Sequence, residues 1–179
     1  MNRRMIPALI LAVCGTVATM LATALAAPAQ DARTTAQRTA PGMVQSRPTL
    51  TLDGARLAGE AAAAYARDHG AGGAIAVVDE GGALLYLVRL DGTFPAASEV
   101  SIAKARTAAV FRKPTQAFEN AIRDGRVSLT AVGPMTPLEG GLPIVVDGHV
   151  VGAIGCSGAM SSTQDVEVAQ AGAAAIAGS

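Results

Sequence analysis

The sequence predicts an α+β fold in which two β-hairpins form an antiparallel sheet and about four helices flank it. Two features predict it. Two pairs of short apolar runs are each joined by a glycine-containing turn, and segments with helical spacing precede, separate and follow these pairs. Hairpins pair strands antiparallel, so a doubly wound parallel sheet is not expected. A length of 179 residues favours one domain.

The first helix and the first hairpin follow one another in residues 51–89. A helix is predicted from Thr51, whose hydroxyl suits an N-cap, to a stop at Gly70. The apolar run 74–79 then has strand length, and a glycine turn leads into the run 83–89. Composition and spacing together predict a hairpin.

Two more helices are predicted between the hairpins. Ser98 is the predicted N-cap of the first, which stops at Pro114 because the residue before proline avoids helical geometry. Thr115 is the predicted N-cap of the next, which ends at Gly125. Helical spacing places four residues on the buried face of the first: Val100, Ala103, Thr107 and Val110.

The second hairpin has the clearer turn signal. Residues 142–146 and 150–156 flank Asp147-Gly148, a dipeptide typical of tight hairpin turns. A last helix is predicted to begin at Ser162 or Thr163 and to run to about Ala177. Its predicted buried stripe consists of Val166, Ala169 and Ala173.

The N-terminus has the three-part pattern of a secretion signal. Arg3 and Arg4 precede the uncharged apolar stretch 5–25, and small residues then offer cleavage after Ala26 or Ala29. We therefore expect a signal peptide over residues 1–26, a disordered linker over 27–48 and a folded domain over 49–178. The alternative is a retained membrane anchor, since about 20 apolar residues span a bilayer. The expected location is periplasmic or secreted, with no membrane span after cleavage.

Composition and motifs argue against several classes of function. Without residues 1–26 the chain has 12 basic and 14 acidic residues, so no basic surface for nucleic acid is expected. Cys156 is then the one remaining cysteine, which excludes an internal disulfide and thiolate metal clusters. No P-loop, nucleophile elbow or His-Glu-x-x-His motif occurs.

Several stretches resemble one known family. They are Val77-Val78-Asp79-Glu80-Gly81-Gly82, Lys104-Ala105-Arg106-Thr107-Ala108, Gly140-Gly141-Leu142-Pro143-Ile144 and Gly152-Ala153-Ile154-Gly155-Cys156-Ser157-Gly158. In this order and spacing they are similar to the GlcG/HbpS family, whose domain is also found at the C-terminus of PduO proteins. The similarity covers residues 49–178. The resemblance implies a profilin-like sheet with helices, assembly into homo-oligomers, and haem as the cofactor, which several relatives bind.

Haem needs an axial ligand and cations for its propionates, and a few residues qualify. The candidate axial ligands are His69, at a predicted helix end, and Thr115, which matches a haem-ligating threonine in an exported relative. Lys104 and Thr107, in the family-like Lys-Ala-x-Thr-Ala stretch, complete the set of candidate cofactor-binding residues. Structural roles compete with each of these assignments, because threonine caps helices and histidine meets the last carbonyls of a helix.

Three functions are compatible with these features. The first is an exported haem-binding protein, in haem sensing or iron handling, that binds a small planar ligand. The second is an enzyme that acts on haem or another small redox molecule, which is less favoured because no arrangement of acid, base or nucleophile emerges. The third is an accessory subunit that binds a protein partner and no ligand.

Overall fold

The computed structural model describes residues 42–177. Its elements are α1 (Leu52–Asp68), β1 (Ala74–Asp79), β2 (Leu84–Arg89), α2 (Ala97–Phe111), α3 (Gln116–Arg123), a 3₁₀ helix (Val127–Ala131), β3 (Gly141–Val146), β4 (His149–Ser157) and α4 (Ser162–Ala177). The predicted order of helices and hairpins is confirmed. The predicted signal peptide and most of the predicted linker lie outside the described residues.

The four strands form one antiparallel sheet in the order β2-β1-β4-β3. The two hairpins meet where β1 pairs with β4, so these two strands are central and β2 and β3 are the edges. Pro143 lies in β3, where a missing backbone donor is tolerated because an edge strand has one free side. The predicted α+β fold is therefore confirmed.

Both faces of the sheet are covered. Along β1, Ile75 and Val77 pack in the core that includes α1 and α4 residues, whereas Ala76 and Val78 pack against α2. This alternation explains why nearly all of β1 is buried, as expected of a central strand between two helical layers.

Glycine and alanine let the helices lie close to the sheet and to each other. On the α2 side of the sheet, β4 presents Ala153 and Gly155, and a Cβ on Gly155 would overlap the carbonyl oxygen of Ser101 in α2. On the other side, a Cβ on Gly172 of α4 would lie 2.6 Å from the carbonyl oxygen of Ala58 in α1. Close packing thus compensates for the small number of aromatic side chains, which are two Tyr, three Phe and no Trp.

The predicted start and buried face of α2 are wrong. The helix begins at Ala97 with no side-chain cap, and the carbonyl of Ser98 accepts a hydrogen bond from Ser101 Oγ at 2.7 Å. Of the four predicted face residues only Thr107 is buried, and Val110 is 55% exposed. The buried residues are Ala97, Ser101, Lys104, Ala105, Thr107, Ala108 and Ala109. Small side chains face the sheet because the approach is too close for valine.

The predicted caps of α3 and α4 need smaller corrections. Thr115 does precede α3, but its side chain makes no capping hydrogen bond. The cap of α4 is one residue earlier than predicted, since Ser161 Oγ accepts from the Gln164 N–H at 3.1 Å. The buried residues of α4 are Asp165, Val168, Ala169 and Gly172, so Ala169 is the one buried member of the predicted stripe.

Within residues 42–177 no helix is both long enough and apolar enough to cross a bilayer.

Candidate functional site

Thr107 and Thr115 hold the loop that leads into β3, residues 133–140. Thr107 Oγ1 donates to the Ala103 carbonyl at 2.8 Å and accepts from the Thr136 N–H at 2.9 Å. Thr115 is fully buried, and its Oγ1 accepts from the Gly141 N–H at 2.9 Å. Both hydroxyls therefore have protein partners in this conformation.

Lys104 lies next to the same loop, in a buried ion pair that the sequence did not predict. Its Nζ is 2.8 Å from Asp165 Oδ2 and donates to the Cys156 carbonyl at 3.0 Å, and both charged side chains are less than one tenth exposed. Asp165 Oδ1 accepts from the Ala159 N–H at 3.0 Å. Lys104 belongs to α2 and Asp165 to α4, so the pair joins the two helical layers at one end of the sheet.

The Cys156 thiol is buried beside this ion pair, with Sγ 3.5 Å from Asp165 Oδ1. Burial, together with the negative charge of Asp165, raises the pKa of the thiol far above its ordinary value. The thiol therefore stays protonated at physiological pH. A neutral, inaccessible thiol is neither a nucleophile nor an iron ligand, and it packs as a small apolar side chain.

Glu139 fixes the same loop from outside. Its carboxylate accepts from the Ser162 side chain and from Gln116 Nε2, the latter at 2.9 Å, and these bonds lower the pKa of Glu139 below its ordinary value of 4.5. The Glu139 N–H donates to Glu119 Oε2 at 2.7 Å. The loop is thus held at Thr136 by Thr107 and at Glu139 by these carboxylate contacts.

We expect a Glu139→Gln variant to lose less than about 1 kcal/mol of unfolding free energy at neutral pH, because the carboxylate is solvent-screened. A lowered folded-state pKa contributes stability above the unfolded-state pKa and loses it as the pH falls through the folded-state value. The difference from the unsubstituted protein should therefore shrink as the pH falls below the ordinary carboxyl range. Urea unfolding across pH measures it. Glu167→Gln, at an exposed glutamate of α4, is the control; a constant difference at all pH values would contradict the loop contact.

His69 lies apart from these residues, at the C-terminal end of α1. Its ring stacks on Tyr65, with centroids 3.9 Å apart, and its Nδ1 is 2.9 Å from the Tyr65 carbonyl oxygen. A carbonyl only accepts, so Nδ1 donates and the Nε2 lone pair of the neutral ring is available to a ligand. Because α1 and α2 cover opposite faces of the sheet, the structure does not bring His69 together with Lys104, Thr107 and Thr115.

A cleft of about 310 Å³ lies near the end of α1. Its lining consists of Arg67, Ala71, Gly72, Arg89, Leu90 and Asp91. Two guanidinium groups therefore border a surface that also offers small and apolar side chains. Arg89 is partly fixed, since its Nη1 donates to the Thr93 carbonyl at 2.9 Å.

Protein side chains alone do not form a metal site in the described part of the chain. Residues 42–177 contain no cluster of three or more His, Cys, Asp or Glu side chains that could hold a metal ion. A haem iron makes a smaller demand, because the porphyrin supplies the equatorial ligands and the protein needs to supply an axial one. An accessible imidazole such as His69 meets that demand.

Comparison with known proteins places these features in context. A family model described as "Haem degrading protein HbpS-like" matches residues 50–174. Protein GlcG of Escherichia coli is 47% identical over 83 residues, which are 46% of this chain and 62% of GlcG, so the match covers less than two thirds of that relative.

Two solved structures share the fold. A double mutant of HbpS from Streptomyces reticuli superposes with a TM-score of 0.70 and 32% identity, covering 76% of this chain and 92% of that one. The PduOC–haem complex superposes with a TM-score of 0.65 and 25% identity, covering 72% of this chain and 95% of that one.

Proposed function

Because the chain belongs to the HbpS-like family, we propose that it is a haem-binding protein. The observation that carries the proposal is the similarity of the whole folded domain to a structure described as a haem complex. When bound, haem would supply a redox-active iron. Such a group suits either haem sensing or iron handling.

His69 is the residue that would hold the haem iron. Its Nδ1–H is held by the Tyr65 carbonyl, so Nε2 points its lone pair away from the helix backbone, and the stacked Tyr65 ring fixes the imidazole plane. A second-shell hydrogen bond of this kind is usual for ligating histidines. Thr115 is the weaker candidate because its oxygen is buried and hydrogen-bonded to Gly141.

The propionates are assigned to Arg67 and Arg89, which border the cleft near the end of α1. Guanidinium groups bind carboxylates through paired hydrogen bonds. Lys104 is a poorer partner, because its ammonium is buried against Asp165. The cleft of about 310 Å³ is too small to enclose a porphyrin. His69, Arg67 and Arg89 would therefore hold haem at the surface of the domain and not in an enclosed pocket.

Export and self-association complete the proposal. The basic and apolar pattern of residues 1–29 supports a cleaved signal and a periplasmic or secreted location. Helix α3 supports a homo-oligomer, since it is amphipathic but none of its residues is buried within the chain. Sedimentation with and without haem would give the oligomeric state.

Haem titration tests the proposal. Adding haem to the purified protein should give a shifted, saturable Soret band, and His69→Ala should weaken binding at least about tenfold by removing the axial bond. His149→Ala is the matched control, because it removes the other histidine and should leave the spectrum unchanged. No Soret shift at micromolar haem would contradict the proposal. A stable protein partner recovered without haem would favour an accessory subunit instead.

Haem degradation is the second candidate, favoured by the description of the matching family model. It predicts loss of the Soret band when the haem complex is mixed with a reductant in air. A binding protein predicts a complex that is stable under the same conditions.

A further inference from the structure

A second cleft, of about 270 Å³, collects charged side chains from four separate segments. These segments are the residues before α1, the turn between β1 and β2, the end of α2 and the turn between β3 and β4. The lining residues that can interact with a ligand through charge or a ring nitrogen are Arg47, Glu80, Arg112 and His149. None of them belongs to the haem site proposed above.

These charged groups do not neutralise each other. Among residues 42–177 the ion pairs are Lys104–Asp165 and Arg123–Glu119, so neither arginine of the cleft lies within 4.0 Å of the Glu80 carboxylate. Glu80 Oε2 is buried, and no described residue donates a hydrogen bond to it. A buried carboxylate oxygen is normally hydrogen-bonded, so a rotation of the Glu80 side chain toward the cleft, where a bound molecule can donate to it, would satisfy this atom.

The backbone at Arg112, where α2 ends, adopts a conformation that is less favourable for arginine than for glycine. Arg112 ends α2 with φ 55° and ψ 38°, the left-handed conformation in which helices usually place glycine. An arginine here costs stability that a glycine would not, and such strain is characteristic of functional positions. Arg112 is also one of the residues that line the cleft.

His149 adds an acceptor to the same cleft. Its Nδ1 is 2.9 Å from the Asp147 carbonyl oxygen, so Nδ1 donates and Nε2 of the neutral ring accepts. The cleft thus offers two guanidinium donors and two acceptors, Glu80 Oε2 and His149 Nε2. A ligand that satisfies all four carries anionic groups and at least one hydroxyl.

We propose that this cleft binds a small dianion, a dicarboxylate or a phosphate ester, that also carries a hydroxyl group. The anionic groups pair with Arg47 and Arg112, and the hydroxyl donates to Glu80 Oε2. A volume of about 270 Å³ suits a small metabolite. The site goes beyond the proposed haem function and is independent of it.

Calorimetry on the haem-free full chain tests the class of ligand. Malate and glycerol 3-phosphate represent hydroxylated dicarboxylates and phosphate esters, and at least one of them should bind saturably with one site per chain. Succinate, which lacks the malate hydroxyl, should bind at least about tenfold more weakly than malate, since Glu80 loses its donor. Equal binding of malate, succinate and inorganic phosphate would overturn the hydroxyl contact, and no binding by any of the four would overturn the site.

An Arg112→Gly variant tests ligand binding at the cleft separately from the stability of the fold. It relieves the left-handed backbone, so the variant should unfold at the same or a higher urea concentration, yet lose about 10- to 100-fold in affinity for the binding dianion. Lys113→Ser is the matched control, because it removes a neighbouring exposed positive charge outside the cleft. Haem affinity should be unchanged in Arg112→Gly. A parallel fall in haem affinity would make the cleft part of the haem site and would overturn the proposal.

Discussion

Replacing Lys104 with methionine is expected to lower the free energy of unfolding by about 3–5 kcal/mol, because the substitution leaves the Asp165 carboxylate buried without its partner. Asp165 keeps one backbone donor, the Ala159 N–H, which is insufficient for a charge inside the domain. Urea unfolding followed by circular dichroism measures the loss.

The double variant Lys104→Met/Asp165→Asn tests whether the loss comes from the unpaired charge. The amide oxygen that the second substitution introduces at position 165 can still accept from the Ala159 N–H, and both charges are gone. The double variant should therefore be more stable than Lys104→Met alone. Lys113→Met, at an exposed lysine, should stay within about 0.5 kcal/mol of the unsubstituted protein. A loss below about 1 kcal/mol for Lys104→Met would contradict the buried ion pair.

The same variants decide between two roles for Lys104. If the lysine serves the fold, the double variant retains full haem affinity; if it holds a propionate, haem affinity falls even where the fold is intact. The structure favours the first role, since Nζ already contacts two protein oxygen atoms.

The elements of the fold were predictable because the residues that form their turns and helix ends can be recognised in the sequence. Asp147-Gly148 forms the β3–β4 turn with both residues at positive φ, and Gly70, also at positive φ, follows α1. Both are local signals that depend on backbone chemistry alone. The order of elements then follows without knowledge of the packing.

The helix faces were not predictable in the same way. Apolar size pointed to Val100 and Val110, whereas the contact surface of α2 is made of alanine, serine and the buried Lys104. How closely a helix approaches a sheet depends on what the sheet presents, and β4 presents glycine and alanine at residues that lie far away in the sequence.

The candidate site, too, was predictable from the sequence only in part. His69, at a helix end, was identified by its residue type, and its role as a haem ligand stays a prediction. The cleft around Glu80 and Arg112 was missed, because it joins four segments separated by dozens of residues. One local signal was available: an arginine directly before Lys113-Pro114, where the helix has to end in a conformation that glycine prefers.

Replacing Gly155 with alanine is expected to cost about 3 kcal/mol of unfolding free energy, because a methyl group has no room between β4 and α2. Its Cβ would overlap the Ser101 carbonyl oxygen and lie 2.6 Å from the Ala105 backbone nitrogen. Both obstacles are backbone atoms of α2, so no side-chain rotation relieves them. Gly155 is not at positive φ, so the loss is steric and not conformational.

Gly133→Ala is the matched control, since a Cβ there meets no atom within 4 Å and the backbone is not at positive φ. Its unfolding free energy should change by less than about 0.5 kcal/mol. Adding Ala105→Gly to Gly155→Ala removes one methyl contact but leaves the Ser101 carbonyl in place, so the rescue should be incomplete. Full rescue would mean that side chains and not the helix backbone set the spacing, and an unchanged stability in Gly155→Ala would mean that α2 lies farther from the sheet.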